Sequence, residues 1–314
     1  MKILLLGGNG QLGQTLAGHA GLRALGSVVV ATRDGKLADG GNGEIADLSD
    51  LAGLKALLNK VQPDVVINAA AYTAVDRAET EEALATRING EAPGVMGTWA
   101  QAHDALVLHY STDYVFDGES ATPYRPGDAT APIGAYGRSK LAGEQALQQS
   151  GAAHLILRTA WVYAPVGHNF LRTMLRLGAE RDELRVVADQ HGAPTTTSLI
   201  ADGSVAALSQ WLEADAATRP GLQGIHHLVA GGSTTWHGFA SAIMARAHAL
   251  GLLEKQPEVS PIGTADFPTP ARRPHYSVLD NRGFEQTFHI HLPSWQAGLD
   301  DVLEALAAKG TQTC

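Results

Sequence analysis

The chain opens with a short apolar strand that runs directly into glycines. Lys2–Leu6 is followed by Gly7, Gly10 and Gly13, and a helical pattern then begins. Glycines between a strand and a helix allow a tight turn and let the backbone approach a pyrophosphate closely, with the free N–H groups of the helix facing the phosphates. The sequence therefore predicts a dinucleotide-binding βαβ unit. A glycine-rich turn without a ligand is the alternative.

Strand and helix patterns alternate along the first half of the chain, which predicts parallel strands with helices on both faces. The predicted strands are Lys2–Leu6, Ser27–Thr32, Asp64–Ala69, Ala105–Ser111, His154–Thr159 and Ile225–Val229. The predicted helices are Gln14–Leu25, Asp50–Lys60, Glu79–Ala102 with a break near Pro93, Ala135–Gln149 and Leu299–Lys309. The expected fold class is α/β, a Rossmann-type doubly wound parallel sheet with a smaller mixed α/β substrate lobe.

The composition of the sequence changes after Pro165, where prolines become frequent and the predicted loops become longer. We therefore assign residues 1–164 to the dinucleotide-binding domain, with a return of the chain to its sheet near 198–231. Residues 165–197 and 232–314 would form the substrate lobe.

The charge balance argues against some classes of function. The 314 residues carry 32 acidic and 23 basic side chains, a formal net charge of −9, whereas proteins that grip nucleic acids usually present a basic surface. The single cysteine, Cys314, allows neither an intrachain disulfide nor a cysteine-based zinc site. Neither a signal-peptide core nor a membrane-spanning apolar run is found, so we expect a cytoplasmic protein without nucleic-acid or membrane partners.

The end of the second predicted strand bears on the choice of dinucleotide. An acidic side chain about 20 positions after the glycines binds the ribose 2′-hydroxyl of NAD, whereas an arginine accommodates the 2′-phosphate of NADP. Thr32 and Arg33 occupy this place, with Asp34 next. Arg33 therefore favours NADPH as the cofactor, and NADH stays open as a second one.

A tyrosine and a lysine four residues apart begin the helix predicted over Ala135–Gln149. The spacing places Tyr136 and Lys140 on one helix face, where an ammonium lowers the pKa of a phenol and helps it to transfer protons. Upstream, the Ser-Thr-Asp segment 111–113 follows a buried strand, at the edge of the sheet where ligands bind. Taken alone, the Tyr136/Lys140 pair could serve only in packing, and the Ser-Thr-Asp segment could be only a turn. Their order along the chain after the glycine loop nevertheless predicts an active site.

Longer runs of sequence carry a resemblance to a known family. They are Asn68–Asp76 (NAAAYTAVD), Tyr110–Gly118 (YSTDYVFDG), Tyr136–Glu144 (YGRSKLAGE), Arg158–Tyr163 (RTAWVY), Asn169-Phe170, Asp189–Thr195 (DQHGAPT) and Pro270–Pro274 (PARRP). With the glycine loop, they make nearly the whole chain resemble the extended short-chain dehydrogenase/reductases, and among these the dTDP-4-dehydrorhamnose reductase family. The resemblance implies NAD(P)H-dependent reduction of the C4 ketone of dTDP-4-dehydro-L-rhamnose to dTDP-L-rhamnose. That reaction is the last step towards a sugar of cell-surface polysaccharides such as lipopolysaccharide O-antigen.

The resemblance also implies a role for each matching position. The catalytic set would be Thr112, Tyr136 and Lys140. Beside the three glycines, Arg33, Tyr136 and Lys140, the cofactor would contact Gln11, Leu12, Asp47, Leu48, Ala69, Ala70, Ala71 and Tyr110. The substrate would contact Thr112, Asp113, Tyr136, Trp161, Asn169 and Arg273. The family has been linked to magnesium at a dimer contact. No ligand cluster for a metal stands out in the sequence, and a homodimer stays open.

Some of these positions have plainer explanations. Trp161 could be a core residue instead of a sugar contact. Arg272 and Arg273 are candidates for binding the substrate diphosphate, because the guanidinium group suits phosphate, but they could equally lie in an exposed loop. The 13 histidines include no His-Glu-x-x-His run, so we expect them to be structural.

Two other functions use the same scaffold. A nucleotide-sugar epimerase or dehydratase retains its cofactor and needs a further acid–base group, a role open to Asp113 beside Thr112. A non-catalytic regulatory subunit of the kind that binds methionine adenosyltransferase does not require Thr112, Tyr136 and Lys140 together.

Overall fold

The computed structural model of the protein describes residues 1–310, so Cys314 lies outside the described residues. The strands are β1 (Lys2–Leu6), β2 (Ser27–Thr32), β3 (Glu44–Ile45), β4 (Val65–Asn68), β5 (Leu106–Thr112), β6 (His154–Thr159), β7 (Val162–Tyr163), β8 (Glu183–Val187), β9 (His191–Gly192), β10 (Thr195–Thr196), β11 (Gly224–His227), β12 (Thr234–Thr235) and β13 (Glu258–Ile262). The helices are α1 (Gln11–Gly18), α2 (Ala20–Leu25), α3 (Leu51–Val61), α4 (Val75–Ala78), α5 (Glu82–Thr86), α6 (Ala92–Ala102), α7 (Ala135–Gln149), α8 (Phe170–Glu180), α9 (Thr197–Glu213), α10 (Arg219–Leu222), α11 (Trp236–Ala249), α12 (Arg282–Phe288) and α13 (Trp295–Gly310).

The centre of the molecule is a seven-stranded parallel sheet in the order β3-β2-β1-β4-β5-β6-β11. The chain leaves β1 towards β2 on one side and reaches β4 on the other, so the order of strands reverses between β1 and β4. Such a reversal opens a crevice at the carboxyl ends of the two strands, where ligands bind in folds of this kind. This topology confirms the predicted Rossmann-type α/β fold.

The strands read as continuous apolar runs because helices cover both faces of the sheet. β4 and β5 are buried along their whole length. One face packs mainly on α3 and α6, and the other on α1, α9 and residues from the second half of the chain. The first face contributes Leu4, Leu6, Val66, Val107 and Ile156 to its core, and the second contributes Ile3, Leu5, Ile67, Leu108 and Leu157.

The helix predicted over Gln14–Leu25 is wrong as a single element. The structure has α1 and α2 instead, separated by His19, whose backbone is extended. The His19 side chain accepts a hydrogen bond from the N–H of Leu22 (3.2 Å) and so caps α2. A capping side chain pairs with an N–H that the first turn of a helix leaves without a partner. The cap therefore stabilises the beginning of α2 as a separate helix.

The break that was predicted near Pro93, within the helix Glu79–Ala102, lies elsewhere in the structure. The non-helical residues are Glu79–Glu81, and from α5 the helical backbone continues through a five-residue π-helical turn, Arg87–Glu91, into α6. Pro93 lies in the first turn of α6. Proline lacks the N–H that would bond back along the helix, and a wider turn just before it accommodates that loss without ending the helix.

The second half of the chain adds three two-stranded sheets, β7 with β10, β9 with β12 and β8 with β13. The predicted strand Ile225–Val229 is observed as β11, which pairs in parallel with β6. The second half also shares a core with the main sheet. That cluster joins Ile3 and Leu5 of β1 to Phe239 of α11 and Trp295 of α13. The division into a domain and a lobe stays a prediction.

Candidate active site

The glycine loop lies at the crevice between β1 and β4. Gly7 has a φ of +83°, and a Cβ there would lie 2.6 Å from the backbone nitrogen of Ala70, in the loop that follows β4. A Cβ on Gly13 would overlap the carbonyl oxygen of Gly7. Only glycine fits these two positions, which keep the turn tight and bring α1 close to the strand. Residues 69–71 therefore lie beside the glycine loop.

The start of α1 suits an anionic ligand. Its cap residue is Gly10, and no side chain caps the first turn, so the first N–H groups of the helix face the crevice without an internal partner from a capping side chain. Gln11 and Leu12 supply two of these groups. An open helix N-terminus behind a glycine turn fits the pyrophosphate of a dinucleotide. The predicted cofactor residues of this loop thus have the geometry that the group requires.

The side chain of Gln11 is held by Asn169. Its Oε1 accepts a hydrogen bond from Asn169 Nδ2 (2.7 Å), and the same nitrogen donates to the carbonyl of Ala164 (2.8 Å). The other amide atom, Asn169 Oδ1, caps α8 by accepting from Arg172 N–H (3.0 Å). Both ends of the Asn169 amide are thus engaged within the chain, and a sugar contact would need these bonds to be replaced. The structure gives no support to that predicted contact.

The other predicted cofactor residues lie along the same edge of the sheet. Arg33 is exposed just after β2. The pKa of Asp47 is lowered mainly by hydrogen bonds from Ser49 and to a smaller extent by the charge of Arg33. Leu48 is buried. Tyr110 is turned away, because its phenol donates to Ser204 Oγ of α9 (2.8 Å). A cofactor contact by Tyr110 would therefore involve its backbone.

Tyr136, Thr112 and Asp113 meet at the carboxyl end of β5. Thr112 Oγ1 donates to Asp113 Oδ1 (2.9 Å), and Thr112 is also close enough to the Tyr136 hydroxyl to lower its pKa. The pKa of Tyr136 is raised to about 12, mainly by burial and in part by the charge of Asp113, while Thr112 opposes the rise. Burial also raises the pKa of Asp113 to about 6, and one of its carboxylate oxygens, Oδ2, has no hydrogen-bond partner within residues 1–310. The cluster presents a protonated phenol and a free acceptor side by side.

Lys140 lies on the same face of α7 but contacts different groups. Its Nζ donates to the carbonyl of Tyr110 (2.6 Å) and lies 3.3 Å from Nε2 of His109. Burial lowers the pKa of Lys140 to about 8, against a smaller raising effect of Glu144. Lys140 is not among the groups that shift the pKa of Tyr136. The amine is turned towards the sheet, and the expectation that its ammonium lowers that pKa stays a prediction.

Trp161 forms part of an aromatic stack beside the site. Its φ of +47° is unusual for a residue with a side chain, and its ring lies parallel to that of Trp236 with centroids 3.5 Å apart. A Cβ on Gly192 would lie 2.5 Å from the Trp161 indole nitrogen, so glycine there leaves room for the ring. The ring is partly exposed, and a sugar contact by Trp161 stays a prediction.

The two arginines of the Pro-Ala-Arg-Arg-Pro segment differ in their surroundings. Arg273 donates to Asp76 Oδ2 (3.1 Å), while Arg272 is exposed. A shallow depression lies between this segment, α4 and the start of α7. Its lining residues include Tyr114, Tyr136 and Arg272. Arg273 is therefore close to the candidate site, but it is paired with Asp76 rather than free for a phosphate.

Sequence reasoning missed the roles of three residues that contact the site. His109 lies against Lys140, Trp236 stacks on Trp161, and Asp76 pairs with Arg273. A histidine within an otherwise apolar buried strand was a usable signal for His109. Trp236 and Asp76 reach the site only through the tertiary fold.

Within residues 1–310, no three or more histidine, cysteine, aspartate or glutamate side chains lie close enough together to hold a metal ion. The magnesium implied by the resemblance therefore finds no ligand cluster in the described part of the chain. No helix among those residues is long and apolar enough to cross a membrane.

Fold and site together define a short-chain dehydrogenase/reductase of the extended type. Residues 1–308 match the family described as RmlD substrate binding domain, and the chain belongs to this family. It is 46% identical to the dTDP-4-dehydrorhamnose reductase of Burkholderia thailandensis, over 94% of this chain and 96% of that one. It is 44% identical to the enzyme of the same name from Shigella flexneri, over 98% of both chains. The crystal structure of the dTDP-4-dehydrorhamnose reductase from Bacillus anthracis in complex with NADP superposes with a TM-score of 0.83 at 30% identity, over 97% of this chain and 99% of that one.

Proposed function

We propose that this protein is a dTDP-4-dehydrorhamnose reductase. It would reduce the C4 ketone of dTDP-4-dehydro-L-rhamnose to the hydroxyl of dTDP-L-rhamnose, with NAD(P)H as reductant. One observation carries the proposal: Tyr136, Thr112 and Asp113 meet at the same carboxyl edge of the sheet as the glycine loop, in a chain that aligns end to end with relatives of that name.

Tyr136 is the proton donor in this mechanism. Its phenol is protonated at neutral pH, because burial raises its pKa to about 12. As hydride arrives at the carbonyl carbon, negative charge develops on the oxygen, and a positioned acid that transfers its proton there lowers the barrier. Thr112 acts on the Tyr136 hydroxyl, and its own hydroxyl would turn from Asp113 to donate to the carbonyl oxygen and stabilise that charge.

NADPH, when bound, supplies the hydride for the reduction. The chain's own contribution is to hold that cofactor with the loop from Gly7 to Gly13, with residues 69–71 and with Lys140, whose amine would reach the ribose. The unpaired carboxylate oxygen of Asp113 would accept a hydrogen bond from a hydroxyl of the sugar. Trp161 would form an apolar wall for the sugar ring.

The finer assignments belong to the same proposal. Arg33 is the observation that favours NADPH over NADH, because an exposed arginine at the end of β2 suits the 2′-phosphate. Magnesium has no step in this mechanism, since the described residues offer it no ligand cluster. A cytoplasmic location and a homodimer stay predictions.

The test is to mix purified protein with NADPH or NADH and enzymatically prepared dTDP-4-dehydrorhamnose, and to follow both cofactor oxidation and the sugar product. One cofactor oxidised per sugar reduced, with a higher kcat/KM for NADPH, supports the proposal. An altered sugar without net oxidation would instead indicate an epimerase or dehydratase that retains its cofactor. Tight cofactor binding without any change of sugar would overturn the proposal and favour the regulatory-subunit alternative.

A further inference from the structure

A second tryptophan, which the predicted site does not include, stacks on the one that is predicted to contact the sugar. Trp236 is the first residue of α11, and its ring lies parallel to that of Trp161, with centroids 3.5 Å apart and an angle of 4° between the planes. Both side chains are partly exposed. The two indoles thus form one flat apolar stack that reaches the surface of the molecule.

The end of β6 places this stack beside the candidate active site. Thr159, the last residue of β6, is paired in register with Thr112 of β5, and Trp161 follows Thr159 by two residues. Trp161 also packs against the apolar cluster that contains Val115, two residues after Asp113. The stack therefore borders the edge of the sheet where the predicted catalytic groups lie.

The backbone of Trp161 is in a conformation that a residue with a side chain rarely adopts. Its φ of +47° lies in the left-handed region, where the Cβ is crowded by the backbone. Such a conformation persists only where the surroundings compensate for its cost. The Trp161 carbonyl accepts a hydrogen bond from the N–H of Thr195, but it is long (3.3 Å). Packing of the indole therefore has to contribute to holding Trp161 in place.

The β9–β12 pair connects the residues that contact the Trp161 ring. Gly192 of β9, which leaves room for the ring, lies opposite Thr234 of β12, and the chain then enters α11 at Trp236. Phe170, the first residue of α8, packs on the Trp236 ring with centroids 4.7 Å apart. Trp236 is thus held by a strand pair and by a second helix, and it can support the ring of Trp161.

We propose that Trp236 is a positioning residue that holds the Trp161 indole where the sugar of the substrate binds. The role rests on the proposed function, since it presumes that Trp161 contacts the sugar. A 6-deoxy sugar offers C–H groups that pack on a flat aromatic surface. Without Trp236, the indole would lose the contact that offsets its unfavourable backbone conformation and would become mobile. The sugar would then bind more weakly, and its C4 would be held less well against Tyr136.

The first test measures the mobility of the Trp161 ring and needs no substrate. Relaxation of the ¹⁵N-labelled indole N–H groups gives an order parameter for each of the five tryptophans, and Trp161→Phe assigns the signal of Trp161. In Trp236→Leu, the order parameter of the Trp161 indole should fall below about 0.6, the range of flexible groups. An order parameter equal to that of the wild type would overturn the proposal.

His103→Ala is the matched control for removing a stacked ring. His103 stacks on Trp99 with centroids 4.1 Å apart, just before β5 begins and hence at the opposite edge of the sheet. The control should leave both the mobility of Trp161 and the binding of the sugar unchanged.

The second test separates the sugar from the nucleotide by calorimetric titration with dTDP-L-rhamnose and with dTDP. Trp236→Leu should weaken binding of dTDP-L-rhamnose by about tenfold and change binding of dTDP by less than about threefold, because only the former carries the sugar. Trp236→Phe, whose smaller ring keeps part of the stack, should weaken binding of dTDP-L-rhamnose by only about threefold, and it carries the test if Trp236→Leu does not fold. Equal losses for both ligands would overturn the positioning role.

A double variant shows whether Trp236 acts through Trp161. If it does, Trp161→Ala combined with Trp236→Leu should bind dTDP-L-rhamnose no more weakly than Trp161→Ala alone. Additive losses would mean that Trp236 acts independently of Trp161 and would overturn the proposal. Should the wild-type protein neither reduce dTDP-4-dehydrorhamnose nor bind dTDP-L-rhamnose, the proposed function fails instead, and the relaxation measurement still decides whether Trp236 holds Trp161.

Discussion

At the scale of single residues, the site depends on where protons and charges are held. The pKa of Tyr136 is raised by burial and by Asp113, so the phenol remains an acid at neutral pH rather than becoming a phenolate. Lys140 is turned away from it towards β5. The two predicted catalytic side chains on α7 therefore contact different neighbours, although they lie on one face of the helix.

Replacing Tyr136 by phenylalanine should abolish most turnover while cofactor affinity stays intact. The change removes only the hydroxyl that donates the proton, and loss of a general acid typically costs roughly 100- to 10,000-fold in kcat. Steady-state kinetics and NADPH titration measure the two effects. Tyr163→Phe is the control, because its buried hydroxyl has no hydrogen-bond partner within residues 1–310. A Tyr136→Phe protein with normal kcat would remove Tyr136 from the proton role.

Asp113 should make the protein less stable as pH rises. Its pKa of about 6 in the folded protein lies above the ordinary value of 3.8, so the folded state holds this proton more tightly than the unfolded chain. Between about pH 4 and pH 6 the carboxyl therefore lowers the free energy of unfolding as pH rises, by up to roughly 3 kcal/mol. Asp113→Asn should be more stable than the wild type above pH 6, with little difference near pH 4.

Thermal unfolding across this pH range measures the difference between Asp113→Asn and wild type. Asp39→Asn, in an exposed loop, is the matched control. A difference that does not vary with pH would mean that Asp113 keeps its ordinary pKa.

Arg33→Ala should weaken NADPH binding by about tenfold and change NADH binding by less than about threefold. Only NADPH carries the 2′-phosphate that an arginine at the end of β2 would pair with, and one charge-assisted contact is worth about that factor. Titration of both cofactors measures the ratio, with Arg176→Ala on the exposed face of α8 as the control. Equal effects on both cofactors would show that Arg33 does not recognise the phosphate.

At the scale of elements, α7 is placed by close contact with the π-helical turn before α6. Gly143 of α7 meets the carbonyl of Asn89, and Gly90 of the turn faces Ala142, where a Cβ would lie 3.1 Å from its methyl group. The small residues let the two backbones approach, and α7 in turn presents Tyr136 and Lys140 to the end of β5. The irregular turn thus contributes to the position of the site.

Gly143→Ala should destabilise the protein and lower kcat, because its Cβ would overlap the Asn89 carbonyl oxygen and push α7 away from the turn. Overpacking of this kind typically costs about 1–3 kcal/mol. Gly18→Ala, in open space at the end of α1, is the matched control and should be neutral. Chemical denaturation and steady-state kinetics test both variants. An unchanged free energy of unfolding in Gly143→Ala would mean that the π-helical turn can move away from the added methyl group without destabilising the protein.

At the scale of the whole molecule, the sheet and the second half of the chain share one hydrophobic cluster. It includes Leu199 and Ile200 of α9 and Met244 of α11 beside residues of β1. We expect the two regions to unfold together, since neither could expose its part of the cluster without exposing the other's. Differential scanning calorimetry should show a single transition whose van't Hoff and calorimetric enthalpies agree. Two separated transitions would contradict the shared core.

Much of the fold followed from periodicity and much of the site from spacing. The bounds of α7 and β6 match the predicted ones, and β4 and β5 differ from theirs by one residue at each end. The two failures were at His19, where a side chain starts a second helix, and around Pro93, where a π-helical turn absorbs the proline. Both depend on local hydrogen bonds that hydrophobic periodicity does not encode.

The sequence by itself determined the class of fold and the chemical groups of the site, because strand and helix periods, glycine spacing and the Tyr-x-x-x-Lys pair are local properties of the chain. Only the tertiary structure decided which groups touch. It turned Lys140 towards His109 and Tyr110, engaged Asn169 with Gln11, and paired Arg273 with Asp76. These contacts join residues that are far apart in sequence, and their energies depend on burial and on direction, which arise only when the sheet and its helices are assembled.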